Sequence, residues 1–96
     1  MISAKEARQN VISKIAADYR AVEKEVTDFL DEMSTSIQFH SRNGFTEIEF
    51  TPYADSRFPS IRYKELAKEI FDRILKQNGY TIAVNNIEIN ILKIQW

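Results

Sequence analysis

The sequence predicts an α+β fold in the order α-β-β-α-β-β. A long N-terminal helix and a second helix would pack on one face of an antiparallel sheet of about four strands. Three observations carry this. Residues 4–33 contain no Gly or Pro and repeat their apolar side chains at helical spacing, and a shorter stretch does the same at 61–77. After each comes a run that alternates polar and apolar residues and is broken by a turn-forming pair. With 96 residues, 44% of them hydrophobic, the chain makes one domain, 1–96, with a core of its own.

The first helix is expected over about 4–33. Ser3 and Glu6 form a capping box, in which the hydroxyl satisfies one of the free N–H groups of the first turn. Ile12, Ile15, Tyr19, Val22, Val26, Phe29 and Met33 are spaced alternately by three and four, a heptad seam that Val11 and Leu30 widen. About 30 residues make a rod of roughly 45 Å, against a diameter of roughly 30–35 Å for a compact chain of this size. The helix should therefore overhang its domain, leaving apolar surface to be covered from outside. Packing on its own sheet is the alternative destination of the same stripe.

Charge points to what covers it. Lys5, Arg8, Lys14 and Arg20 lie in the first half, and Glu23, Glu25, Asp28, Asp31 and Glu32 in the second. That order opposes the helix dipole. Two copies packed antiparallel would set each basic half beside an acidic one. The sequence thus predicts a homo-oligomer, with the seven seam residues as its interface.

A hairpin is expected over about 36–51, turning at Asn43-Gly44, because both central residues of a type I′ turn need positive φ. It pairs His40 with Glu47, Phe39 with Ile48 and Ile37 with Phe50, sorting apolar from polar faces. A loop follows over 52–59. Ser60 caps the second helix, about 61–77, whose apolar face is Ile61, Tyr63, Leu66, Ala67, Ile70, Phe71 and Ile74; Asn78-Gly79 ends it. The last hairpin, about 80–95, turns at Asn85-Asn86 and pairs Val84 with Ile87, Ile82 with Ile89 and Tyr80 with Ile91. Its apolar phase then slips to Leu92, Ile94 and Trp96. Either a bulge near Ile91-Leu92 or a second apolar surface would account for the slip.

Catalytic motifs are missing. There is no phosphate-binding glycine loop, no cysteine, and one histidine, His40, so no two-histidine metal site can form within a chain. His40 opposite Glu47 could act as an acid–base pair, and Glu47, Glu49 and Asp55 could hold a cation, but such groups on a wet sheet face are ordinarily solvated. The expectation is a non-enzymatic protein without catalytic residues, metal or cofactor. A small hydrolase using His40 and Glu47, and a structural assembly component, are the alternatives. Ligand or partner contact is expected at the loop, where Tyr53, Asp55, Arg57 and Phe58 join Arg62 and Arg42: rings to stack, guanidinium forks to grip anions. The competing reading has the aromatics plugging the core edge and the arginines solvated.

A net charge of −1 argues against a nucleic-acid partner, which would favour a basic surplus. No apolar run reaches the roughly 18–20 residues needed to cross a bilayer. The first residues lack the pattern of a secretory signal, and the absence of cysteine suits the cytoplasm.

The long helix opening MISAKEAR, the second helix ending in NGY and the strand closing in IQW resemble small bacteriophage-encoded accessory proteins. The resemblance implies a short, oligomeric, non-enzymatic protein at work in the host cytoplasm, which binds a host protein or sequesters a small nucleotide.

Overall fold

Ser3 starts the first helix as its capping pattern requires, its hydroxyl accepting the Glu6 N–H at 3.1 Å. In the computed structural model, which describes residues 1–54 and 61–96, that helix does not stop near Met33. α1 runs Ala4–Arg42, 39 residues and about 58 Å. The first strand of the expected hairpin is therefore helix, and its pairing of His40 with Glu47 does not form.

Two features carry the helix through STSIQFHSR. Met33 and Ile37 stay on the core-facing side, four residues apart, and both pack against the core. Hydroxyls along the segment turn back onto the preceding turn: Ser34 donates to the Leu30 carbonyl at 3.0 Å and Ser41 to that of Gln38 at 2.9 Å. Burial thus overrides the β-propensity of the segment.

Asn43-Gly44 is a helix terminus instead of a hairpin turn. Gly44 has φ +84, its N–H reaches the Ser41 carbonyl and the Phe45 N–H reaches that of His40. This is the Schellman arrangement, completed by the Phe45 ring on His40 at 5.6 Å. Gly79 ends the second helix, α2 (Ile61–Gln77), in the same way, with φ +85 and bonds from Gly79 to Lys76 and from Tyr80 to Leu75.

The sheet among the described residues has three strands, not four: β1 (Glu47–Phe50), β2 (Thr81–Asn86) and β3 (Ile91–Gln95), all antiparallel, with β3 in the middle. β1 sets Ile48 opposite Ile94 and Phe50 opposite Leu92. The last hairpin turns later than expected, over 87–90, with Asn90 at φ +52. Asparagine tolerates that left-handed conformation. The register becomes Ile82 opposite Ile94, Val84 opposite Lys93 and Asn86 opposite Ile91. The irregularity falls between Ile82 and Val84 in β2, so Leu92 and Ile94 reach the core with no bulge at Ile91-Leu92.

α1 lies against α2 and β1, and α2 against β2, so the helices share one layer over the sheet. Phe29 joins the layers, its ring edge-on to Phe50 at 6.1 Å and to Phe71 at 5.7 Å. Val22 and Val26 of α1, Ile48 of β1, Ala67, Ile70 and Leu75 of α2, Leu92 and Ile94 of β3, and Tyr53 complete the buried cluster. The molecule measures 63 × 24 × 19 Å, and its radius of gyration is 16.3 Å, against about 12–13 Å for a compact chain. α1 overhangs.

Candidate interaction surface

The seam along α1 is divided by its surroundings. The first buried position of α1 is Asp18, beside the seam, at 9% exposure and bonded to Lys14 at 3.0 Å. From there on, Val22, Val26 and Phe29 are buried, and Tyr19 and Met33 pack partly against the same core. Five of the seven expected interface residues are thus engaged within the chain, because α2 and the sheet cover that length of the helix. Ile12 and Ile15 are not: they are 58% and 52% exposed, beside Val11 at 58%.

Residues 4–17 therefore form an arm, about 21 Å of helix beyond the domain. Two shallow apolar grooves run along it, one lined by Ala7, Arg8, Val11 and Ile12, the next by Ile12, Ile15, Ala16, Tyr19 and Arg20. Burying a valine or isoleucine side chain is worth about 1.5–3 kcal/mol, so three of them half exposed to water leave on the order of 3 kcal/mol unrealised. Scattered apolar residues need no explanation, but a contiguous stripe on one helix face does.

The charge order reads differently on the longer helix. The acidic stretch 23–32 lies mid-helix, and the last turn holds His40 and Arg42, which suit the C-terminal dipole. Only Lys5 and Arg8, near the N-terminus, still oppose it.

The expected ligand residues do not gather into a described site. Tyr53, in the 3₁₀ turn Pro52–Ala54, is a core residue at 1% exposure. Its N–H donates to Asn90 Oδ1 at 2.7 Å and its hydroxyl to Asn85 Oδ1, while Asn85 Nδ2 donates to Asp72 at 2.9 Å. Burial first, and the Asp72 carboxylate second, push its phenol well above the ordinary tyrosine range. Tyr53 is a tie between loop, strand and helix rather than a ring offered to a ligand. Arg42 sits exposed in the last turn of α1, not at a hairpin tip. Asp55, Arg57 and Phe58 lie outside the described residues, as does the side chain of Arg62.

The other candidates disperse too. His40 Nδ1 lies 2.7 Å from the Ser36 carbonyl, and its ring packs between Phe39 and Phe45. Glu47 accepts from Gln95 at 3.1 Å and pairs with Lys93 at 3.3 Å, which hold its carboxyl below the usual range. Among the described residues no group of His, Asp or Glu side chains could hold a metal, and no helix is long and apolar enough to cross a membrane.

No family model, curated protein or solved structure matches the chain. What it does has to be argued from the surface itself. Helix length implies the overhang, but the seven residues expected at an interface include five that pack within the chain. The missing signal was Asp18, a carboxylate flanking the seam where the domain begins. A second exposed apolar group, Phe39 and Phe45 around His40, went unnoticed because both were assigned to a sheet.

Proposed function

We propose that the chain is a non-enzymatic interaction protein that binds through the apolar face of the α1 arm. One observation carries the reading: Val11, Ile12 and Ile15 share a helix face that none of the described residues covers. The three-and-four spacing of the stripe suits a partner that is itself helical, since such spacing lets side chains interlock. The dispersal of His40 and Glu47 onto different partners removes the geometric support for the hydrolase alternative. The resemblance to phage accessory proteins supports a binding role against a host protein in the cytoplasm. The nucleotide alternative loses Tyr53 as a stacking ring, because that ring is in the core.

The test compares the wild type with an Ile12→Lys, Ile15→Lys double variant at low protein concentration, using a fluorescent apolar dye. The variant should lose most of the dye signal while keeping its thermal midpoint, because neither side chain belongs to the core. Equal dye binding by the two proteins would show that the arm is not the adhesive surface, and would overturn the reading.

A further inference from the structure

We infer that the arm is covered by the arm of a second copy of this chain, lying antiparallel to it, with the two-fold axis beside Val11 and Ile12. The inference rests on the arm being the binding surface, and it adds the partner and the register.

The register comes from where the seam is filled. From Val22 onward the core-facing side of α1 is occupied by its own α2 and sheet, and burial begins at Asp18. A partner helix on that side must stop there. The arm of a second copy has the right length, because it ends at the corresponding point on its own domain. Two equal arms laid head to tail, each tip reaching the other's domain, set residue i beside residue 23 − i, since Ala4 then lies beside the partner's Tyr19. Val11 meets the partner's Ile12, Ile15 meets the partner's Arg8, and Lys5 comes level with the partner's Asp18. Ile12 falls at the centre, and the small Ala4 lies beside the partner's Tyr19. Such a contact is isologous: one patch serves both copies and closes the assembly at two.

Charge selects the same direction. Each tip carries Lys5 level with the partner's Asp18 and points toward the partner's acidic stretch, which begins at the partner's Glu23. Asp18 already bonds Lys14, and Glu23 bonds Arg73 within its chain; both remain carboxylates in the field a basic tip would meet. A parallel pair would instead set Lys5 on Lys5 and Lys14 on Lys14. The complementarity first read along the whole helix is thus concentrated where the arm meets the domain.

The chain has no cysteine, so introduced cysteines report the register cleanly. Disulfides need Cα atoms within about 7 Å. Val11→Cys should cross-link to itself under mild oxidation. Arg8→Cys and Ile15→Cys should each fail alone, their own copies being roughly 10 Å apart along the helix, yet form a mixed dimer when combined. Ile12→Lys should weaken dimerisation about 100-fold or more, since it buries an unpaired charge at the axis. Arg8→Cys linking to itself would indicate a parallel pair and overturn the inference while leaving the arm as the binding surface. A monomer at every concentration, with an arm that still binds dye, would also overturn it and point to a different helical partner. A monomer without dye binding would remove both readings.

Discussion

The two halves of the α1 seam obey one pattern and meet opposite fates. Residues 18–33 place Val22, Val26 and Phe29 in the core, while residues 4–17 place Val11, Ile12 and Ile15 in water. Spacing therefore decides which residues share a face, and the length of the domain alongside decides which of them are covered. Of a helix of about 58 Å, the described part of the domain covers the length from Asp18 onward and leaves about the first 21 Å uncovered.

The sharpest way to break the comparison is to shorten one side chain in each half. Phe29→Ala removes the ring that touches both Phe50 and Phe71, and should cost about 3–5 kcal/mol of stability in chemical denaturation. Ile12→Ala, measured on dilute protein, should change stability by less than about 0.5 kcal/mol. Similar losses at the two sites would mean that the arm is packed in the monomer, and the division of the seam would be wrong.

Tyr53→Phe probes the tie that fixes the packed half of the molecule. It leaves the acceptor Asn85 Oδ1 without its buried donor and should cost about 1–3 kcal/mol. The phenol is raised above its ordinary 10.0, so the neutral form is the one the fold favours. Its contribution is complete below pH 10.0 and is lost as pH rises from there toward the folded value. Denaturation profiles should therefore show the wild type losing stability above that pH more steeply than Tyr53→Phe; parallel profiles would remove Tyr53 from the account.

The smallest effect belongs to the arm's own end. Ser3→Ala deletes the bond to the Glu6 N–H and should cost about 1 kcal/mol of local helix stability. Hydrogen exchange should quicken over the first turns and stay unchanged across Val22–Phe29. A global change in exchange would show the arm and the domain to be one cooperative unit.

Part of this was legible in the sequence. The α+β class, the second helix and the overhang followed from apolar spacing and chain length, both of which act locally. The strand count did not, because STSIQFHSR carries strand-like propensity and alternation but is held in a helix by Met33 and Ile37 reaching the core. Its terminus was readable in retrospect. RNGF and QNGY share one pattern, Asn-Gly followed by an aromatic, and both close a helix with the same two bonds. Reading the second as a cap and the first as a hairpin treated one device as two. The last turn was missed for a related reason: Asn85 looked like a turn residue, yet it faces α2 and is bonded to Asp72 and Tyr53. Of the proposed ligand residues, Tyr53 illustrates the limit best. An aromatic beside a proline in a loop reads as exposed until the partners of its hydroxyl are known.

Whether the arm holds two copies together is read most directly from solution mass by light scattering across a wide range of concentration. A monomer–dimer equilibrium that stops at two is expected for this chain of 11.2 kDa, with the Ile12→Lys, Ile15→Lys double variant shifted to monomer without loss of fold. A wild type that stays monomeric at every concentration, or a double variant that dimerises as well as the wild type, would contradict it.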